Sequence, residues 1–180
     1  MRKLVLLMAV ALAAMAVGAA TVLASHGADD NTQAACTASG TDTHDRAGVR
    51  AAEHGGPGND EMSGHDGDDH LNGEAGDDDI CGNRGDDHLN GGAGDDHLNG
   101  GAGNDVENGQ AGDDSVNGQS GADRLSGGSG NDTVRGGKGN DRIFVRDGRR
   151  DHVTCGSGDD TVKADHKDAV SHNCEHVSRG

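Results

Sequence analysis

Along the middle of the chain one medium-sized apolar residue recurs every nine positions. The series runs Met62, Leu71, Ile80, Leu89, Leu98, then Val116, Leu125, Val134 and Ile143. Polar residues flank most members, as in His70-Leu71-Asn72, which is the pattern of a short strand with one buried face. Six residues rich in Gly and Asp separate successive triplets and predict tight turns. A turn plus a strand takes nine residues, so two units return the chain to its starting side. The expected fold is all-β, a parallel β-helix of 18-residue coils. Its interior would hold two ladders, Met62, Ile80, Leu98, Val116 and Val134 on one side and Leu71, Leu89, Glu107, Leu125 and Ile143 on the other. Glu107 breaks the pattern, because a carboxylate between Leu89 and Leu125 is costly to bury. The expectation is a local shift of one residue that turns Val106 inward instead.

The polar frame is as regular as the apolar one. From Gly55 to Phe144 the chain reads as ten nonapeptides without insertion or deletion. Positions 1 and 4 are Gly and position 6 is Asp in all ten, and position 5 is Asn or Asp in all but one, where Ala122 stands. Flexible linkers share such composition but do not hold phase. Glycine at positions 1 and 4 is expected to permit positive φ and close backbone approach. Aspartate at position 6 sets a hard carboxylate oxygen at the end of each turn.

Composition alone would suggest disorder. The 180 residues include 33 Gly, one Phe, no Trp and no Tyr, with a formal charge of -17, so there is little apolar surface to bury and much like charge to repel. Such a chain disfavours nucleic acid and anionic membranes as partners. Combined with strict phase, the acidity predicts a chain folded around cations.

The unit resembles GGxGxDxUx, the nonapeptide of the RTX or haemolysin-type calcium-binding repeats, as in GGAGDDHLN and GGAGNDVEN. With its four cysteines and apolar N-terminus, the whole is similar to small secreted bacterial proteins of that type. The resemblance implies a right-handed parallel β-roll with Ca²⁺ between turns of successive coils, held by position-6 carboxylates and turn carbonyls. One stack would use Asp60, Asp78, Asp96, Asp114 and Asp132, and the other Asp69, Asp87, Asp105, Asp123 and Asp141. Asp160, in the near-consensus CGSGDDTVK, is a further ligand candidate. Carboxylate and carbonyl oxygens form a hard, adjustable donor set that suits Ca²⁺ better than Mg²⁺. Ten turns pairing n with n+2 make up to about eight sites, which would bring the exported chain's charge from -19 to about -3. Without ions the Asp stacks repel, so folding is expected to be coupled to calcium binding. An EF-hand is excluded, since no segment has acidic ligands at 1, 3 and 5, Gly at 6 and Glu at 12.

Residues 1–24 read as a signal peptide. Arg2 and Lys3 precede the apolar run Leu4–Val17, and small residues lead to a cleavage point after Ala24. A secreted, extracellular protein follows, with no membrane span after cleavage, and loss of the two cations gives the -19 above. Larger RTX proteins leave through a type I channel on a C-terminal signal, whereas this N-terminus points to the general secretory route. Residues 25–54 carry no period and read as a flexible or capping segment, 55–144 as the ten repeats, and 145–180 as degenerate repeats and a C-terminal cap. Asp151 follows Asp141 by ten residues, an insertion of one, and Arg149 and Arg150 in that turn are expected to replace an ion. Four cysteines allow three pairings in an oxidising compartment, and their positions suggest Cys36–Cys81 and Cys155–Cys174.

Position 7 should face solvent. His70 and His88 would then be neighbours on one sheet, with His97 on the other, as solvated decoration in place of a zinc site. The chain contains neither HExxH nor GxSxG, and a non-enzymatic, structural or adhesive calcium-binding protein is expected, with a surface glycan or matrix component as candidate partner. Two alternatives are an ice- or polysaccharide-binding solenoid and an accessory subunit of a secreted enzyme. The mixed residues at position 7 argue against the first, and only the Glu107 region hints at the second.

Overall fold

A computed structural model of the chain describes residues 52–180. The expected signal peptide 1–24, most of segment 25–54 and Cys36 lie outside these residues. Among the described residues fifteen strands follow one another, with no helix. The first is β1 (Ala52–Pro57), then β2 (Glu61–Ser63), β3 (His70–Ala75), β4 (Asp79–Arg84), β5 (His88–Ala93) and β6 (His97–Ala102). Next come β7 (Val106–Ala111), β8 (Ser115–Ser120), β9 (Arg124–Ser129), β10 (Thr133–Lys138) and β11 (Arg142–Val145). The last are β12 (His152–Ser157), β13 (Thr161–Ala164), β14 (Ala169–Val170) and β15 (His176–Arg179).

Consecutive strands alternate between two parallel sheets. Odd-numbered strands form one of eight strands, β1 to β15 in order, and even-numbered strands form the other of seven, β2 to β14. Partners within the repeats are 18 residues apart, as in Leu71↔Leu89 and Ile80↔Leu98. The one-residue insertion changes this spacing to 19 in Val134↔Val153 and Ile143↔Val162. The extra residue is taken up in the turn after β11, so the inward pattern continues through Val153 and Val162. This is the all-β parallel β-roll that the period predicts.

The core is one residue deep on each side. Ile80, Val116, Leu125, Val134 and Ile143 are fully buried at position 8, and the residues two on (Gly82, Gly118, Gly127, Gly136 and Val145) share their inward face. The predicted slip at Glu107 does not occur. Glu107 stays in register with Leu89 and Leu125 and is buried, while Val106 faces outward beside His88. A one-residue slip would turn every side chain of β7 to the other face and pull Asp105 and Gly109 out of their columns. Keeping one carboxylate inside disturbs fewer contacts. The consequence is a divided core: Met62, Leu71, Ile80, Leu89 and Leu98 form one apolar cluster, and Val116, Leu125, Val134, Ile143 and the residues beyond form another.

The glycine expectation holds for position 4, while at position 1 the close backbone approach holds and the positive φ does not. All ten position-4 glycines have positive φ, whereas no position-1 glycine does. Position 2 is the second left-handed residue, and five non-glycines hold it there: His65, Glu74, Asn83, Gln110 and Gln119. Position 1 needs glycine for space. A Cβ on Gly64 would lie 2.6 Å from Asp69 Oδ2 and 2.9 Å from the carbonyl oxygen of Gly82.

A disulfide joins Cys155 to Cys174, as the spacing suggested, and ties the last turn to β12. Cys81 is also disulfide-bonded.

Candidate metal centre

The position-6 aspartates stack into two columns, one along each edge of the roll. In the first, the backbone N–H of each Asp donates to Oδ1 of the Asp one coil on: Asp60 to Asp78, Asp78 to Asp96, Asp96 to Asp114 and Asp114 to Asp132, at 2.8–2.9 Å. The second links Asp69, Asp87, Asp105, Asp123 and Asp141 in the same way. These are the two stacks read from the repeat.

Both columns run further than the repeat. Asp132 donates to Asp151 and Asp151 to Asp168. Asp141 donates to Asp160, whose own N–H is received by Glu175. Asp151, Asp168 and Glu175 were not among the expected site residues, because spacings of 19, 17 and 15 residues break the nine-residue phase. The signal available in the sequence was that each acid stands just before a strand triplet, as in Asp151-His152-Val153. The expected substitution of an arginine for an ion is not what the turn shows. Arg149 and Arg150 are exposed and, among the described residues, form no ion pair, while Asp151 is buried in the column. The lengthened turn carries both guanidinium groups outward, where they keep their hydration.

Most of these carboxylates leave one oxygen unsatisfied. In ten of the aspartates, Asp78, Asp87, Asp96, Asp105, Asp114, Asp123, Asp132, Asp141, Asp151 and Asp160, Oδ2 is buried and accepts no hydrogen bond. Such an atom carries a desolvation penalty that a donor or cation would remove. It faces a second oxygen, since Asp78 Oδ2 and the Gly91 carbonyl oxygen are both nearest neighbours of the space beside Gly73. Among the described residues no three His, Cys, Asp or Glu side chains converge on a point. A bound ion would therefore take its ligands from one or two carboxylates and from backbone carbonyls, a hard oxygen set.

Burial is the main cause of raised carboxyl pKa values in the columns, and neighbouring carboxylates add to it. Asp87, Asp96 and Asp123 rise to about 6, and Asp105, Asp114 and Asp151 to about 7, against hydrogen bonds from the backbone that pull them down. Each column is a line of acids that resist ionising together.

A second line of turn residues runs outside the first with the opposite polarity. The N–H of Asp95 donates to Oδ1 of Asp77 in the preceding coil, and Asp113 to Asp95, while Asn104 donates to Asp86 and Ala122 to Asn104. Position 5 thus fastens each turn backward and position 6 fastens it forward. Asn supplies the acceptor oxygen this needs as well as Asp does, and the amides of Asn104 and Asn131 donate in addition to Asp86 and Asp113.

A family model of the RTX calcium-binding nonapeptide repeat (4 copies) matches residues 54–89, 82–107 and 108–143, together half of the chain. The chain belongs to the RTX calcium-binding repeat family. No characterised protein matches it over its length. The family matches end at 143, whereas both columns continue beyond Asp132 and Asp141.

Glu107 sits where the RTX unit has an aliphatic residue. Its Oε1 accepts the N–H of Gly100 at 3.0 Å and its Oε2 that of Asn117 at 3.2 Å. Burial first, then Asp105 and Asp123, push its pKa up to about 8. The position-7 histidines lie as expected: His70 and His88 are neighbours on the odd-numbered sheet, with ring centroids 4.6 Å apart, and His97 is on the other.

Proposed function

We propose that the protein is a secreted, non-enzymatic β-roll that folds on binding Ca²⁺ and serves as a structural or adhesive element outside the cell. The observation that carries this is the row of buried Oδ2 atoms without a donor, several of them beside a carbonyl oxygen of the next coil, as Asp78 Oδ2 is beside that of Gly91. Asp60, Asp69, Asp78, Asp87, Asp96, Asp105, Asp114, Asp123, Asp132, Asp141 and Asp160 would hold the ions, with turn carbonyls completing each set. Asp151 joins them on geometry, its Oδ2 being buried without a donor, whereas both oxygens of Asp168 already accept backbone N–H groups. The columns beyond Asp132 and Asp141 add four inter-coil steps to the eight expected from the repeats, the last of them to Glu175.

The chemistry that calcium supplies is neutralisation of charge that the fold otherwise confines. The chain's own part is to present one carboxylate per half-coil in fixed register, with Oδ1 already committed to the neighbouring backbone. In the absence of cations the columns ionise at neutral pH and repel, and only about one apolar side chain per half-coil opposes them. Secretion rests on the N-terminal apolar run followed by small residues, and on cysteine pairing.

Circular dichroism of the chain lacking residues 1–24, titrated with calcium, tests the reading. A coil-like spectrum in chelator that becomes β-rich by about 10 mM Ca²⁺, above the weak extracellular range, is the expected result. A spectrum already β-rich in chelator at pH 8, or unchanged by calcium, would overturn it.

A further inference from the structure

Charge is divided unevenly along the roll. Residues 52–120 hold 18 Asp and Glu against a single Arg, Arg84, whereas residues 121–180 hold ten acids and ten Arg or Lys. Within that second segment most acids point inward. Asp123, Asp132, Asp141, Asp151, Asp160, Asp165 and Asp168 are buried, which leaves Asp147, Asp159 and Glu175 exposed, while all ten Arg and Lys are exposed. The outer surface of the C-terminal half is therefore basic on a chain of formal charge -17.

Several of these cations have structural work. Arg146 and Arg179 donate to carbonyl oxygens of the last coils, including Ala164 and Asp165, and Lys167 Nζ donates to the Gly148 carbonyl at 2.6 Å. Arg124, Arg142 and Lys163 do not share in it: among the described residues none pairs with a carboxylate. They lie on the outer face of β9, β11 and β13, three adjacent rungs of the odd-numbered sheet. Arg124 is directly opposite Arg142, and Lys163 is opposite Phe144. Phe144 is the only Phe of the chain, which has no Trp or Tyr. Arg124 Cζ stands 4.4 Å and Lys163 Nζ 5.3 Å from its ring centroid. Like charges opposite one another on neighbouring strands destabilise a sheet, and the aromatic ring holds two of the three cations in place between them.

We propose that this face of β9, β11 and β13 binds an anionic polysaccharide, with Arg124, Arg142 and Lys163 pairing with its carboxylate or sulfate groups and Phe144 ordering the cations beforehand. The rungs of a sheet repeat at about 4.8 Å, a step comparable to the advance of one pyranose ring along an extended chain. A linear saccharide can thus run across the strands in register with the cations. Guanidinium groups meet carboxylate and sulfate oxygens in bidentate fashion. Ordering by the ring lowers the entropy cost of that contact. The proposal deepens the adhesive reading by naming its partner, and it requires a folded roll.

Isothermal titration of the calcium-saturated chain with chondroitin sulfate tests it, with neutral dextran and a thymidine oligonucleotide as comparisons. The expected result is binding to chondroitin sulfate that weakens with NaCl, none to dextran, and at most weak binding to the oligonucleotide. Arg124→Gln with Lys163→Gln should weaken binding about tenfold or more, whereas Arg135→Gln, on the opposite sheet, should not change it. Absence of binding by the unaltered chain, equal binding by the double variant, or equally tight binding of the oligonucleotide would overturn the proposal. So would light scattering that shows the same cations joining two copies of this chain with no saccharide effect. Circular dichroism of the variants in calcium separates this outcome from a failure of the calcium reading. A roll that is β-rich in chelator would sink the calcium reading and leave the saccharide titration to be read on its own.

Discussion

The backbone N–H of Asp78 donates to Oδ1 of Asp96 at 2.8 Å, eighteen residues on, while Oδ2 of the same Asp96 carboxylate is buried without a donor. One side chain is thus split between two tasks. Its first oxygen fastens neighbouring coils, and its second waits for a positive partner.

Exchange of Asp96 and Asp114 for Asn separates those tasks. The amide oxygen still accepts the N–H of Asp78 and Asp96, but the NH₂ group replaces the anionic oxygen. Calcium stoichiometry by equilibrium titration should fall, while the roll in chelator should become more stable. An unchanged stoichiometry would remove these two residues from the ligand set.

Acidity should substitute for calcium. Folded pKa values of about 6 to 7 for Asp87, Asp96, Asp105, Asp114, Asp123 and Asp151 lie above the ordinary 3.8. The folded state therefore binds more protons than the unfolded one, and stability falls as pH rises through that interval. In chelator, β-structure by circular dichroism should be greatest near pH 4 and lost by about pH 7. Constant ellipticity across that range would contradict the burial of these acids.

Glu107→Gln should flatten the same profile at one site. The Glu107 carboxyl, pushed up to about 8 from 4.5, contributes stability below 4.5 that is lost as pH rises towards 8. The amide keeps an acceptor for the Gly100 or Asn117 N–H without the charge. At pH 8 in calcium, the variant should be about 4 kcal/mol more stable to urea, and near pH 4.5 the difference should nearly vanish.

The two kinds of glycine should answer to substitution in opposite ways. Gly64→Ala sets a Cβ 2.6 Å from Asp69 Oδ2 and 2.9 Å from the Gly82 carbonyl, and a loss of about 2 kcal/mol or more in urea unfolding is expected. Gln110→Gly, at a φ of 79°, relieves a left-handed side chain and should stabilise the roll by about 1 kcal/mol. Equal losses in both would mean that position 2 is held by its side chains.

The period by itself determined the architecture of residues 55–144. One inward residue per nine, between invariant Gly and Asp, leaves a parallel roll as the way to bury Leu71 beside Leu89 and Ile80 beside Leu98, and the resemblance to the RTX nonapeptide implied the two stacks of Asp. Three matters were decided only by tertiary structure. The columns continue through Asp151, Asp168 and Glu175 because hydrogen bonding to the preceding coil depends on position in space, and a turn can absorb the residues that upset the count. Glu107 stays inside because register is shared by the whole of β7, so one unfavourable side chain cannot shift without moving Asp105. Arg124, Arg142 and Lys163 gather at Phe144 because residues about a coil apart in the chain become adjacent rungs, a proximity that no local pattern records.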